Sequence, residues 1–275
     1  SIAGVVTRQL DAARSFEVTF WRSAWTAISL IVILPLWKGA GVWRTFPFKS
    51  PYFWGSGLCW SVMFTAFMIA MTLTQVANVL ITMSLGPLLT ALLTWGLLRH
   101  PLPGRTWLAI VVAGGGMAWM FAHQLQLGAP GTVSGMLVAL CVPLAGAIQW
   151  TLVQKSRQSG TAIDMIPSVL LGAILSSALT AFLSWPLQAS GHDIVWLALL
   201  GLVQLAIPCT LSVMVAGVLK APEVSLLALL EILFGILWAW LGAGEVPRPS
   251  VLTGGIVVLA ALVMNEYWGW RTSHD

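Results

Sequence analysis

Two ionisable side chains lie inside long apolar stretches, where a charge is costly and is therefore a functional hypothesis by default. Arg22 belongs to the stretch 17–37, and Glu231 belongs to the stretch 222–242. The planar guanidinium of Arg22 suits a carboxylate, whereas the carboxylate of Glu231 suits a substrate ammonium or a proton. The alternative is that both side chains pair with other helices, or that Arg22 reaches out to the membrane interface.

Uncharged side chains in the apolar stretches form a second set of candidates. Trp60, Met63, Phe64 and Phe67 recur at helical spacing, and an apolar wall with a few polar anchors is what an amino-acid side chain needs. A proline inside such a stretch cannot donate a backbone hydrogen bond, so one carbonyl oxygen of the helix loses its partner. That oxygen can line a water-filled cavity, or the helix can bend at this point. The remaining candidates, for which cavity lining and packing stay open alternatives, are Asn78, Pro87, Gln149, Trp150, Gln204 and Pro208.

The composition places these candidates in a membrane. Charged residues make up 8% of the 275 residues and hydrophobic residues 58%, whereas soluble domains carry about 25% charged residues. The net charge of +4 includes no run of Lys or Arg, so no nucleic-acid partner is expected. Cys59, Cys141 and Cys209 lie in apolar stretches without a CxxC pair, which indicates packing rather than a disulfide framework.

Nine apolar stretches are long enough to cross a bilayer as helices. They are 17–37, 51–72, 75–98, 105–122, 132–154, 165–187, 193–217, 222–242 and 250–268. The apolar stub Ser1–Val6 is expected to be the tail of a further, first helix. The stretches lack the alternation of a membrane barrel. The sequence therefore predicts an all-α integral membrane protein of ten transmembrane helices, the first truncated at its amino terminus.

Lys and Arg residues predict the orientation of these helices. Loops after even-numbered helices, with the carboxyl-terminal tail, hold nine of them, and loops after odd-numbered helices hold three. This bias predicts that the even loops and both termini are cytoplasmic.

A weak internal repeat divides the chain into halves. At a shift of 145 residues, the segment 81–100 matches the segment 226–245 at three Leu positions and one Trp. Five helices per half is an odd number, so the second half enters the membrane from the opposite side. We therefore expect two inverted repeats, 1–127 and 128–275, around a central cavity, which is a transporter architecture with a midplane site.

Three segments carry a resemblance to a known family. FWRSAWTA around Arg22, LGPLLTALLTW around Pro87, and EILFGILWAWLGAGE from Glu231 to Glu245 resemble the drug/metabolite transporter superfamily, EamA type. The Trp-rich chain looks most like the YddG-type exporters of aromatic amino acids. Two positions differ from the family pattern, because His100 replaces the first-half equivalent of Glu245 and Ile232 replaces a usual proline.

The resemblance implies a basket of ten helices with alternating access, exporting aromatic and other neutral amino acids across a bacterial inner membrane. No cofactor is expected, and no metal site is indicated because the four His residues lie near span ends or in the tail. Other solutes stay open: a nucleotide sugar, a cationic drug or a lipid. A membrane-embedded enzyme or scaffold is the remaining alternative, but HExxH, GxSxG and P-loop motifs are absent from the sequence. Gly114–Gly116 and Gly254–Gly255 indicate close helix packing, with a homodimer contact as an alternative.

Overall fold

The computed structural model describes residues 15–74, 76–98, 102–122, 132–158, 163–243 and 249–271. All regular elements in these ranges are helical. Several predicted features lie outside the described residues: the stub before Arg8, His100, Glu245 and Arg248.

Eleven α-helices occupy the described ranges, and together they cover all nine predicted membrane stretches. They are α1 (Ser15–Lys38), α2 (Pro51–Leu73), α3 (Val76–Met83), α4 (Gly86–Leu98), α5 (Gly104–Phe121), α6 (Thr132–Gln158), α7 (Pro167–Leu183), α8 (Gly191–Leu199), α9 (Ile207–Ala216), α10 (Ala221–Ala243) and α11 (Pro249–Arg271). A 3-10 helix, Ala40–Thr45, follows α1. A π-helical segment, Leu200–Ala206, joins α8 to α9.

Length and hydropathy identify the membrane-crossing segments among them. Within the described residues, four helices are long and apolar enough to span a bilayer: Phe16–Lys38, Pro51–Leu73, Val133–Gln158 and Gly191–Ala216. Shorter apolar helices lie at Gly86–Leu97, Pro167–Leu183 and Pro249–Asn265. The chain is thus a multi-pass membrane protein.

Prolines lie where one predicted span breaks, where another changes from π-helical to α-helical geometry, and where a third ends early. Pro87 lacks an N–H and therefore fits the first turn of a helix, where no donor is needed; the span 75–98 divides at a turn over Ser84 and Leu85, and α4 begins at Gly86. Pro208 cannot donate a hydrogen bond back along its helix, and the π-helical segment directly precedes it. The predicted end of span seven at residue 187 is wrong, because Pro186 disfavours helix at Trp185 and α7 ends at Leu183.

Glycines allow two pairs of helices to approach closely. At the contact between α2 and α7, a Cβ atom on Gly172 would overlap Trp60 and lie 2.9 Å from the Gly57 carbonyl oxygen. At the contact between α5 and α11, a Cβ atom on Gly254 would lie 2.6 Å from the Gly116 carbonyl oxygen. The predicted packing role is therefore confirmed for Gly116 and Gly254, whereas a Cβ atom on Gly114 or Gly115 would meet nothing within 4 Å.

Basic side chains from two predicted cytoplasmic loops tie helix ends together. Lys38, at the end of α1, forms an ion pair with Asp164, which precedes α7. Arg157, in the last turn of α6, donates hydrogen bonds of 3.3 Å to the carbonyl oxygens of Ala216 and Leu219. These contacts place the connections after α1, α6 and α9 at one end of the bundle, as the alternation of the spans requires. That this end is cytoplasmic stays a prediction.

Candidate functional site

Helix α1 places Arg22 in the protein interior, where only 2% of its surface is exposed. Its Nη2 atom donates a 3.1 Å hydrogen bond to the Phe64 carbonyl oxygen on α2. The guanidinium carbon lies 5.9 Å from the centre of the Phe67 ring. The alternative that Arg22 reaches the membrane interface is therefore wrong. Its Nε atom is buried and makes no hydrogen bond within the described part of the chain.

The backbone around Arg22 is fixed by Gly201 in the π-helical segment. A Cβ atom at Gly201 would lie 2.8 Å from both the Arg22 carbonyl oxygen and Trp25 Cβ. Thr26 Oγ1 lies 2.7 Å from the Arg22 carbonyl oxygen and 3.1 Å from the Gly201 carbonyl oxygen. Its hydroxyl can therefore donate to α1 or to the π-helical segment. The absence of a side chain at Gly201 therefore lets these two membrane segments contact each other backbone to backbone, and this contact positions Arg22.

Glu231 on α10 is the second charged candidate, and it is an exposed residue. The Glu231 carboxyl, the Arg22 guanidinium and the Cys209 thiol lie within electrostatic range of one another. Cys209, which the sequence assigned to packing, is thus a neighbour of both charged groups.

Aromatic side chains form one wall next to Arg22. The Trp60 ring lies 5.5 Å from the Phe64 ring and 5.8 Å from the Trp150 ring, centre to centre, and the second contact is edge to face. Met63 packs against this group as a partly buried residue. The Trp60 Nε1 donor is buried and makes no hydrogen bond among the described residues. The stripe predicted on α2 therefore lies against α6 and beside the Arg22 guanidinium.

Gln149 contributes a buried amide on α6, next in sequence to Trp150. Its side chain is fully buried, and neither its oxygen nor its nitrogen hydrogen-bonds to any described residue. A buried amide without partners costs on the order of 1–3 kcal/mol, so such groups are usually matched by water or a ligand. Gln149 therefore fits a polar position that is completed by a bound molecule.

The remaining predicted candidates are Asn78, Pro87, Gln204 and Pro208. Asn78 Nδ2 donates a 2.8 Å hydrogen bond to Thr74 Oγ1, which stabilises the hairpin between α2 and α3. Pro87 is buried at the start of α4. Gln204 is partly buried in the π-helical segment, and Pro208 is exposed at the start of α9.

A buried hydroxyl cluster beside the site was missed at the sequence level. Ser176 Oγ on α7 lies 3.0 Å from Ser23 Oγ on α1 and 2.9 Å from Thr65 Oγ1 on α2. Ser23 and Thr65 directly follow Arg22 and Phe64 in the sequence. The cluster therefore fixes the relative position of the two helices that hold Arg22, and single hydroxyls in apolar spans were the signal for it.

A second missed residue is Glu17, in the first turn of α1. Its carboxylate is buried and accepts hydrogen bonds from the backbone N–H groups of Gln188, at 2.9 Å, and Ala189, at 2.7 Å. It also accepts a 3.3 Å bond from Trp21 Nε1. Glu17 thus ties α1 to the segment that precedes α8.

Comparisons with known proteins concern the fold and the first 122 residues. A solved structure titled only "Crystal structure of protein" matches with a TM-score of 0.78 and 16% identity, covering 98% of this chain and 93% of its own. At that identity the likeness shows the fold alone. No curated protein matches the chain. The model of the EamA-like transporter family, a family of membrane transporters, matches residues 1–122. The likeness to this family covers less than half of this multi-pass membrane protein.

Proposed function

We propose that the protein is a secondary transporter that exports neutral amino acids, aromatic ones foremost, by alternating access. The observation that carries the proposal is the pair of opposite charges, Arg22 and Glu231, within electrostatic range inside a membrane protein. A zwitterion presents the complementary pair of charges. Arg22 would bind the carboxylate, Glu231 the ammonium, and the wall of Trp60 and Phe64 the side chain.

Unused hydrogen-bonding atoms support the same ligand. Arg22 Nε and Trp60 Nε1 are buried donors without a partner among the described residues, and Gln149 adds an unused amide. A carboxylate is an acceptor-only group with about four lone-pair sites, so it can accept from several donors at once. A ligand that was only a cation would leave the two donors unmatched, which is costly in a buried site.

The proposal includes the predicted inverted repeats, 1–127 and 128–275, with both termini on the cytoplasmic side of a bacterial inner membrane. The interruption between α3 and α4 and the π-helical segment before Pro208 are where these helices can bend as the halves move. Gly116 and Gly254 are used in the contact between α5 and α11, so these glycines need no second copy to explain them.

Flux measurements in proteoliposomes that contain only this protein test the proposal. We expect labelled L-phenylalanine to leave loaded vesicles faster than it leaves protein-free vesicles, and Glu231→Gln to reduce this rate. Lys49→Gln, a charge change in the loop after α1, serves as a matched control and should retain it. If no neutral amino acid crosses faster than in empty vesicles, the substrate class is wrong.

A cationic substrate is the second candidate, because the Glu231 carboxylate is exposed. Such a substrate would use Glu231 and the wall while leaving Arg22 bound to the Phe64 carbonyl. A quaternary ammonium dye should then inhibit phenylalanine flux, and its own transport should require Glu231 but tolerate Arg22→Gln. Nucleotide sugars and other anionic solutes would call for more basic groups than the one described at this site.

A further inference from the structure

Both polar atoms of the Gln149 side chain are unused in the structure. Its amide oxygen is an acceptor and its amide nitrogen carries two N–H donors, yet neither atom has a hydrogen-bond partner among the described residues. None of the Gln149 surface is exposed, so bulk water does not supply the missing bonds. A buried amide in this state costs free energy until another group matches its donor and its acceptor.

Two contacts between α2 and α6 indicate the depth of this amide in the membrane. A Cβ atom on Gly146 would lie 3.5 Å from Met63 Sδ, and a Cβ atom on Gly55 would lie 3.2 Å from Leu152 Cδ1. Residues three apart share one side of a helix, so Gln149 lies between these two contacts on the side of α6 that faces α2. Helical side chains lean toward the amino terminus of their helix, which directs the amide toward the level of Met63.

The guanidinium of the interior site lies about one helical turn further along α2. Arg22 bonds the carbonyl oxygen of Phe64, which follows Met63 in the sequence, and its guanidinium carbon lies 5.9 Å from the centre of the Phe67 ring. The distance along the helix axis from Met63 to Phe67 is about 6 Å at 1.5 Å per residue. A ligand whose carboxylate is bound at Arg22 can therefore reach Gln149 with a side chain a few bonds long.

The two unused atoms also define the chemical group that matches them. A carboxamide carries an acceptor and a donor side by side in one plane, so a second carboxamide matches both with two parallel hydrogen bonds. Glutamine side chains bind the adjacent donor and acceptor of adenine in the same bidentate way. A phenol or an indole matches one of the two atoms at a time, and an apolar side chain matches neither.

We propose that Gln149 binds the side-chain amide of a carboxamide amino acid, with L-glutamine as the ligand of suitable length. This inference rests on the proposed transport of neutral amino acids, in which Arg22 binds the carboxylate. The Gln149 nitrogen donates to the amide oxygen of the ligand, and the Gln149 oxygen accepts from the amide N–H. The ligand reaches this amide when the wall opens during the transport cycle, and water then competes little for the two bonds once the wall has closed.

Equilibrium binding of labelled L-glutamine to the purified protein in detergent tests this role. We expect L-glutamine to bind about fivefold more tightly than the γ-methyl ester of L-glutamate, which has a similar shape but no side-chain donor. Gln149→Met keeps the length of the side chain, removes both polar atoms and should abolish the difference. Gln158→Met, the same change at an exposed position on α6, should keep it. Equal binding of the two ligands by the unmodified protein overturns the proposal, and so does an undiminished difference in Gln149→Met.

L-phenylalanine separates this inference from the function on which it rests. Its side chain makes no hydrogen bond to an amide, so its Kd for Gln149→Met should be unchanged or lower than for the unmodified protein. If L-phenylalanine binds the unmodified protein and L-glutamine does not, only the role of Gln149 is wrong. If neither amino acid binds, the proposed function is wrong and this inference with it.

Thermal unfolding gives a second readout that needs no ligand. Gln149→Met should keep or raise the unfolding midpoint, because the amide makes no hydrogen bond to any described residue. A clearly lower midpoint, or a variant that does not fold, would show that the amide already has a permanent partner. Either result would overturn its assignment to the ligand.

Discussion

Replacing Arg22 by glutamine removes the charge that the proposal assigns to the substrate carboxylate, while keeping a planar side chain with an N–H donor. In the structure, Nη2 is bonded to the Phe64 carbonyl oxygen and the buried Nε is unused among the described residues. A hydrogen bond to a charged group contributes about 1.5–3 kcal/mol. We therefore expect Arg22→Gln to raise the Kd for L-phenylalanine about 10- to 150-fold.

The assay is equilibrium binding of labelled L-phenylalanine to the purified protein in detergent, with gel filtration and circular dichroism as tests of folding. Arg22→Lys keeps the charge but loses the planar fork, so its Kd should fall between those of the unmodified protein and Arg22→Gln. Arg44→Gln, in the exposed 3-10 helix, should leave the Kd within twofold. A folded Arg22→Gln variant with an unchanged Kd would refute the role given to Arg22.

Three further variants test the contacts that position α1, two at such contacts and one, Gly96→Ala, as a control. Gly201→Ala should destabilise the protein by about 1–3 kcal/mol, because the new methyl lies 2.8 Å from the Arg22 carbonyl oxygen. Gly96→Ala meets nothing within 4 Å and should stabilise by up to ~1 kcal/mol. Glu17→Gln should lower the unfolding midpoint, since the hydrogen bonds to Gln188 and Ala189 lose their charge. Tryptophan fluorescence during thermal unfolding measures all three, and unchanged midpoints for Gly201→Ala and Glu17→Gln would contradict these assignments.

The membrane segments could be predicted closely because bilayer thickness fixes helix length. The predicted stretch 17–37 corresponds to α1, Ser15–Lys38, and the predicted stretch 51–72 corresponds to α2, Pro51–Leu73. Prolines were identified as places where a helix bends, and the break before Pro87 agrees with that. The end of span seven was misplaced because apolar residues continue past Leu183, whereas the local effect of Pro186 ends the helix.

The facing of individual side chains could not be predicted to the same extent. α10 is apolar nearly all round, so its sequence does not indicate which side faces the interior and which faces lipid. Arg22 and Glu231 could be identified as exceptional residues, but not as neighbours. Their proximity depends on how α1 and α10 pack, and on close contacts such as that at Gly201, which no local pattern encodes.

Glu17 was missed for a different reason. It stands at the start of α1, where an acidic residue is common because it favours the helix dipole. Its main partners are the backbone N–H groups of Gln188 and Ala189. Every residue except proline carries such a group, so the sequence does not indicate this contact. The role of Glu17 can therefore be recognised only from the three-dimensional position of the segment that contains Gln188 and Ala189.

The central claim is that the interior site binds both charges of one amino acid. Binding of three matched compounds to the unmodified protein tests it most directly: L-phenylalanine, phenethylamine, which lacks the carboxylate, and 3-phenylpropionate, which lacks the ammonium. Removal of one charge-assisted contact should weaken binding at least tenfold, the equivalent of about 1.4 kcal/mol, so L-phenylalanine should bind at least tenfold more tightly than either analogue. Phenethylamine binding as tightly as L-phenylalanine would contradict the account and favour a cation site at Glu231.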